Sequence, residues 1–282
     1  MSNLSRRAML GGGALLFPEL PSRAATPRRD RAGDRLNALE RRTGARIGLA
    51  AMDTGSGRGI FYREAERFLM CSTWKFPLVA AVLARVDTGK ESLSRLVRFT
   101  KADMVSYAPV TSQHAGSGMT VAALCEAAIT VSDNVAANLL LAVAGGFPGF
   151  NQFIRSLRDR TTRLDRDEPM VNRPDGDKDT TTPVAMLGDM KTILLGNMLS
   201  AASRQTLMGW LAANTTGGTM LRAGLPQGWA VGDKTGHGDT ATNDLAIATP
   251  PGRKPVLIAA FIRGGDAAVL AEIGRLVATA FD

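Results

Sequence analysis

Ser72 and Lys75, which lie three residues apart at the start of an apolar run, could together support nucleophilic catalysis. On a helix, residues at this spacing share one face, so the hydroxyl and the amine can meet. A serine hydroxyl is a poor nucleophile until a base takes its proton, and an amine in apolar surroundings can take it. Ser72 would also lie at a helix N-terminus, where backbone N–H groups favour developing negative charge. The alternative interpretation is a helix cap followed by a surface lysine.

Three further segments carry polar groups that such a nucleophile would need. Ser132-Asp133-Asn134 lies between two helical segments, where its alternative interpretation is a helix cap. Lys234-Thr235-Gly236 follows a strand candidate, and here the alternative is an exposed edge strand whose lysine opposes aggregation. An aperiodic segment between them holds Glu168 and Asn172. Each segment alone is weak evidence for catalysis, and their order and separation along the chain carry the functional signal.

The elements that must position these residues follow from hydrophobic periodicity and capping signals. Strands are predicted near both ends of the chain, at 47–52, 60–62, 229–233, 243–248 and 256–262. Helices are predicted from Ser72, after Ser132, and at 30–42, 120–128, 147–157, 183–195, 200–212 and 267–280. Residues 161–179 lack periodicity, which predicts a long loop of the kind that is usually functional. We therefore expect an antiparallel sheet shared by both ends of the chain, with helices between them.

The composition is that of an ordinary soluble globular protein, with 45% apolar and 21% charged residues. The net charge of +8 is spread along the chain, and no basic helix carries interleaved aromatic residues. A solvated basic surface is therefore a better interpretation than a nucleic-acid-binding one. The two histidines and two cysteines show no zinc-type spacing, so the sequence predicts neither a metal site nor a cofactor.

The N-terminus has the pattern of an export signal. Arg6 and Arg7 precede a short, weakly apolar stretch that ends near Phe17, and small residues suit cleavage after Ala24. Paired arginines predict the twin-arginine route to the periplasm for residues 1–24 as a signal peptide. The stretch is too short to span a bilayer permanently, so we expect no stable membrane anchor. We also expect the protein to be a monomer.

Together the motifs resemble those of the class A, active-site serine β-lactamases. Ser-x-x-Lys, Ser-Asp-Asn and Lys-Thr-Gly in this order form the motif set of the penicillin-recognising serine enzymes. The resemblance covers the chain after the signal and includes Tyr107 before a helix and Arg-Leu-Asp-Arg before Glu168. It implies an α/β fold of the α+β type, with a five-stranded antiparallel sheet flanked by helices. Residues 25–70 and 213–282 would form this α/β lobe, residues 71–212 would form an all-α lobe, and the active site would lie in the cleft between them.

The resemblance also implies a role for each candidate residue toward a small-molecule β-lactam. Ser72 would attack the lactam carbonyl, and either Lys75 or Glu168 acting through a water would remove its proton. Ser132 would pass a proton to the ring nitrogen, and Glu168 would activate the water that releases the acyl group. The implied substrate-binding residues are Tyr107, Asn134, Asn172, Lys234, Thr235, Gly236 and His237, the last of these also giving a backbone N–H to the oxyanion hole.

One departure from the family pattern concerns the substrate carboxylate. Many relatives add an arginine beside the Lys-Thr-Gly strand, whereas the nearby positions here are Met220, Thr242 and Asn243. Either Lys234 and Thr235 bind the carboxylate nearly alone, or the ring of His237 supplies a compensating donor. We expect the second arrangement, because the His237 side chain should point toward the cleft mouth.

Two other functions share most of these residues. A D-alanyl-D-alanine peptidase would share the Ser72, Ser132 and Lys234 motifs but would not be expected to carry the pair of Glu168 and Asn172. A non-hydrolysing β-lactam sensor would need a membrane-spanning partner segment, and none is evident after the signal. The sequence therefore favours the hydrolase.

Overall fold

A computed structural model describes the backbone of residues 28–282 and the side chains from residue 32 onward, so the predicted signal peptide lies outside the described residues. The helices are α1 (Arg28–Thr43), α2 (Lys75–Asp87), α3 (Val121–Thr130), α4 (Asn134–Val143), α5 (Gly146–Ser156), α6 (Pro183–Leu195), α7 (Ala201–Ala212), α8 (Leu221–Gly224) and α9 (Ala267–Phe281). The strands are β1 (Arg46–Asp53), β2 (Gly59–Tyr62), β3 (Phe68–Leu69), β4 (Leu96–Val97), β5 (Met119–Thr120), β6 (Thr180–Thr181), β7 (Ala230–His237), β8 (Ala241–Thr249) and β9 (Val256–Arg263).

The main sheet has five antiparallel strands in the order β2-β1-β9-β8-β7. Strand β9 lies at its centre and pairs with β1 from Arg46↔Arg263 to Asp53↔Val256. The predicted sheet shared by the two ends of the chain, with flanking helices, is therefore confirmed. Strand β7, which carries Lys234, lies at one edge.

Both faces of this sheet are covered, which explains why β9 is apolar along its whole length. Residues 256–262 are all buried, as expected for a strand with helices on both sides. One apolar cluster joins the sheet to α1, α8 and α9 and includes Leu36, Ile258 and Phe281. The other joins it to the helices of the middle segment and includes Phe76 and Phe261. Burial of each such side chain contributes roughly 1.5–3 kcal/mol.

Ser72 lies in a 3₁₀ turn, Cys71–Trp74, that leads directly into α2. In a 3₁₀ turn, side chains three residues apart are eclipsed, which places Ser72 and Lys75 on the same side of the chain. Helix α2 is buried from Lys75 to Leu83 and passes through the middle of the helical segment. Lys75 itself is 0% exposed, so the alternative interpretation as a surface lysine is wrong.

The strand that carries Lys234 is longer than the sequence predicts. The predicted strand covers residues 229–233, but β7 continues to His237. Pairing with β8 extends it, with Lys234 opposite Leu245 and Gly236 opposite Asn243. Lys234 is fully buried, so it does not serve as a solvated charge on an exposed edge.

Candidate active site

The side chains of Ser72 and Lys75 meet at a single oxygen of Glu168. Ser72 Oγ donates to Glu168 Oε1 over 3.1 Å, and Lys75 Nζ lies 3.1 Å from the same oxygen. The indole Nε1 of Trp74 donates to it over 3.2 Å. All four residues are buried. A hydroxyl with two potential proton acceptors in direct or near contact is the arrangement that an activated serine nucleophile needs.

The Lys75 amine has partners from the Ser-Asp-Asn segment as well. Its Nζ donates to the backbone oxygen of Ser132 over 2.8 Å and to Oδ1 of Asn134 over 2.6 Å. Burial lowers the pKa of Lys75, and the negative charge of Glu168 opposes this shift. A lysine with a lowered pKa can exist as the neutral amine, which is the form that accepts a proton.

A second buried lysine faces the first across the Ser132 hydroxyl. Lys234 Nζ donates to Ser132 Oγ over 3.0 Å, and Lys75 Nζ lies 3.4 Å from the same atom. Burial and the nearby charge of Lys75 lower the pKa of Lys234 to about 7. Ser132 has a φ of +60°, in the left-handed region that non-glycine residues adopt rarely and mostly at functional positions. Its hydroxyl therefore connects the two amines.

Asp133 explains how the Ser-Asp-Asn segment is held in place. Its Oδ1 accepts from the backbone N–H of Ala136 over 2.9 Å and so caps α4. Its Oδ2 accepts from the backbone N–H groups of Val110 and Thr111. The helix-cap interpretation thus applies to Asp133, while Ser132 and Asn134 on either side turn toward Lys75.

Glu168 is held from both its side chain and its backbone. Asn172 Nδ2 donates to Glu168 Oε2 over 2.6 Å, across the 3₁₀ turn Met170–Asn172. Asn138 on α4 donates to the carbonyl oxygen of Glu168 over 2.9 Å and accepts from its N–H over 3.0 Å. Both oxygens of the carboxylate are therefore directed by donors.

The long loop that carries Glu168 has a second pair of anchors. Asn151 on α5 bonds both backbone groups of Leu164, over 2.8 and 3.1 Å, just as Asn138 bonds Glu168. Asp179 closes the far end, because its carboxylate accepts from the backbone of Asp165 and Arg166 and from the Arg166 side chain over 2.6 Å. The loop is thus fixed by interactions from its first residues to its last.

A cavity of about 550 Å³ opens beside these groups. Its lining includes Asn134 and Asn172, which touch Lys75 and Glu168, and His237 and Thr242 on the sheet side. Its volume lies in the range of small-molecule sites. The nucleophile and its acceptors therefore lie next to a cleft of suitable size.

Comparison with known proteins agrees with this geometry. The model of the Beta-lactamase enzyme family matches residues 31–281. Beta-lactamase AST-1 of Nocardia asteroides is 45% identical over 260 residues, which cover 88% of this chain and 83% of the relative. Beta-lactamase L2 of Stenotrophomonas maltophilia is 46% identical over 249 residues, 85% of this chain and 82% of the relative.

Similarity to a solved structure identifies the class of β-lactamase. The class A β-lactamase of the last common ancestor of Gram-negative bacteria has a TM-score of 0.87 and 53% identity, covering 89% of this chain and 99% of that chain. The chain belongs to the class A β-lactamases. This β-lactamase is a serine hydrolase of β-lactams, and the peptidase and sensor interpretations are set aside.

The β-lactamase structure brings most of the predicted residues into one connected set. Direct hydrogen bonds or an ion pair link Ser72, Lys75, Ser132, Asn134, Glu168, Asn172 and Lys234. Of the remaining predicted residues, Tyr107 and Thr235 join this set only through backbone oxygens, which accept from Asn134 N–H and Lys234 Nζ, and Gly236 and His237 lie beside it.

On β7, Thr235 bonds the hydroxyl of Thr216 over 2.5 Å. At Gly236 a Cβ would lie 2.8 Å from the backbone oxygen of Met70, so a side chain there would collide with the segment before Ser72. His237 is exposed on the cleft wall, and its Nδ1 lies 3.2 Å from Thr242 Oγ1. Its ring thus contacts the neighbouring strand β8 at the mouth of the cleft.

Tyr107 differs from the other predicted residues because its side chain is 59% exposed. Its backbone oxygen accepts from the N–H of Asn134 over 3.0 Å, and its φ of +61° is in the left-handed region. The observed contact of Tyr107 with the site residues is therefore a backbone contact.

Two residues of the β-lactamase site were missed at the level of sequence. Asn138 lies one helical turn after Asn134, so it shares the face of α4 that points to the site, and this spacing could have identified it. Trp74 lies between Ser72 and Lys75 in an apolar run, where an aromatic residue reads as core. Its N–H was the only signal of a polar role.

Proposed function

We propose that the β-lactamase opens penicillins and cephalosporins through an acyl-enzyme on Ser72. The observation that carries this proposal is the shared Oε1 of Glu168, within 3.1 Å of both Ser72 Oγ and Lys75 Nζ. A β-lactam is a strained amide that bears a carboxylate, so its opening needs a nucleophile, a proton acceptor, an oxyanion site and a proton donor. Each function has a buried candidate beside the cleft.

In acylation, Ser72 Oγ forms a bond to the lactam carbonyl carbon while its proton passes to Lys75 or to Glu168 through a water. Both bases are supported, Lys75 by its lowered pKa and Glu168 by direct contact. The C–N bond then breaks, and Ser132 gives its proton to the ring nitrogen and regains one from a neighbouring lysine. The backbone N–H groups of Ser72 and His237 would bind the oxyanion.

In deacylation, Glu168 takes a proton from water, and the resulting hydroxide attacks the ester carbon. The ester bond to Ser72 breaks, Ser72 Oγ recovers a proton, and the ring-opened acid leaves. Asn172 supports this role because it directs Oε2 of Glu168. Lys234 and Thr235 would bind the substrate carboxylate, Asn134 the side-chain amide, and Gly236 would let the substrate approach the strand. Tyr107 would border the cleft mouth.

The experiment is turnover of a chromogenic cephalosporin, followed by intact-mass spectrometry with benzylpenicillin. We expect sustained turnover by the wild type and none by Ser72→Ala. Glu168→Ala should acylate but stall, leaving a persistent adduct on Ser72. A single stoichiometric burst by the wild type, or rapid return of Glu168→Ala to unmodified protein, would contradict the assigned roles.

We also propose that the protein is a monomer with an α/β lobe (25–70 and 213–282) and an all-α lobe (71–212). We further propose export to the periplasm by the twin-arginine route. The support for this route is the Arg6-Arg7 pair before a weakly apolar stretch. Within residues 28–282, no helix is long and apolar enough to cross a membrane. Replacing Arg6 and Arg7 by lysine should abolish periplasmic activity, and unchanged periplasmic activity would rule this route out.

A further inference from the structure

Trp74 is a fully buried tryptophan whose polar edge faces the catalytic carboxylate. Its ring packs edge-on against Phe150, with ring centroids 6.1 Å apart and an interplanar angle of 79°. Its Nε1 donates to Glu168 Oε1 over 3.2 Å. A buried indole N–H needs a hydrogen-bond partner, and here that partner is a group of the reaction rather than a backbone carbonyl.

The three donors to Glu168 Oε1 differ in how long they remain donors. Ser72 loses its O–H when its oxygen becomes an ester, so it cannot donate in the acyl-enzyme. Burial lowers the pKa of Lys75, and its amine also faces Ser132 and exchanges protons in the reaction. An indole N–H is a donor only and does not titrate in this range, so Trp74 donates in every state of the cycle.

We propose that Trp74 is a positioning residue for deacylation, whose indole N–H holds Glu168 Oε1 in its orientation after Ser72 has been acylated. This inference rests on the proposed acyl-enzyme on Ser72. A hydrogen bond to a carboxylate favours the charged form, which is the form that can accept a proton from water. Asn172 directs Oε2, and Trp74 directs the other oxygen.

Loss of this hydrogen bond should affect one step more than the other. A hydrogen bond to a charged group is strong enough that its loss should slow deacylation about tenfold or more. When deacylation limits turnover, kcat and KM fall together while kcat/KM, which reports acylation, changes little.

The test compares Trp74→Phe with Trp210→Phe. The second variant is the control, because Trp210 on α7 is a partly buried tryptophan that packs on the same apolar cluster. Steady-state kinetics with benzylpenicillin give kcat and KM, and single-turnover measurements give the acylation and deacylation rates. We expect Trp74→Phe to lower kcat and KM together and Trp210→Phe to leave both unchanged.

A second replacement separates the N–H from packing. The chain has three tryptophans, so in a Trp210→Phe, Trp229→Phe background only position 74 would take up benzothienylalanine, which keeps the ring shape and lacks the N–H. Slower deacylation with unchanged acylation supports the proposal. A wild-type deacylation rate in this protein would overturn it, as would equal losses in both steps. If wild-type Ser72 formed no acyl-enzyme, the proposed function itself would fail, which is a separate outcome.

Discussion

Replacing Asn138 by leucine should slow deacylation much more than it disturbs the rest of the enzyme. Asn138 bonds both backbone groups of Glu168, over 2.9 and 3.0 Å, and leucine has a similar size but cannot form either bond. Asn151 offers a matched control, because it forms the same two bonds to Leu164 in the same loop and is also half-buried. The two variants therefore remove the same number and type of interaction at different distances from the chemistry.

The size of both effects follows from these bonds. Each hydrogen bond contributes about 1 kcal/mol net, so either variant should lose about 2 kcal/mol of unfolding free energy. For a protein of this size, that loss lowers Tm by roughly 3–4 °C. A displacement of Glu168 by about 1 Å would lower the deacylation rate roughly a hundredfold. Only Asn138→Leu releases the backbone of Glu168, so only that variant should show this second effect.

Calorimetry would give Tm for both variants, and single-turnover mass spectrometry with benzylpenicillin would give their acylation and deacylation rates. We expect similar losses of Tm and a long-lived adduct only in Asn138→Leu. Wild-type deacylation in Asn138→Leu, despite the loss of Tm, would refute the reasoning that the backbone anchor positions the base. An equally slow Asn151→Leu would show that the whole loop moves as one unit.

Three other perturbations test the electrostatics of the fold and cleft. Burial and the neighbouring Asp159 raise the pKa of Asp189, so the folded state binds a proton there more readily than the unfolded state and stability should fall as pH rises above the ordinary value of 3.8 toward the raised pKa. Asp189→Asn should flatten this fall of Tm with rising pH, and an unchanged slope would contradict this assignment. Because the pKa of Lys234 is about 7, its cation is lost above that pH. The KM for a penicillin should therefore rise above this pH, and Lys234→Arg should reduce the rise. A wild-type KM that does not change with pH would contradict the role of the Lys234 cation in binding. The ring of His237, which is exposed on the cleft wall, should bind the substrate carboxylate, so His237→Ala should raise the KM for a penicillin and a cephalosporin. Equal KM values in the wild type and in His237→Ala would show that His237 contributes only its backbone N–H.

Local signals in the sequence predicted the elements well, because capping and periodicity depend on neighbouring residues. Helix α6 matches its predicted bounds, since Thr182 caps it and Gly196 follows its last residue. Strand β7 was predicted too short, because its final residues are held by pairing with β8 rather than by their own propensity.

The site residues also divide into those that local motifs identify and those that depend on contacts between distant segments. Motif order was enough to select Ser72, Lys75 and Glu168, but the bonds from Asn138 to Glu168 join residues that are far apart in sequence. Such contacts depend on how α4 packs against the loop, and a single sequence does not record that packing. Trp74 was overlooked because the N–H of an apolar side chain has no pattern that distinguishes it from core.

The central pairing of β9 with β1 has a consequence for biosynthesis. Arg46 is synthesised early and its partner Arg263 late, so the nascent chain cannot close its main sheet until almost all of it has left the ribosome. Until then β1 and β2 form an isolated hairpin, which is at best marginally stable in water. Long-range pairing of this kind is also slow to form and exposes strand edges meanwhile. Chains truncated before β9 should therefore fail to form the sheet and should be removed by proteolysis, even though they contain Ser72, Lys75, Glu168 and Lys234.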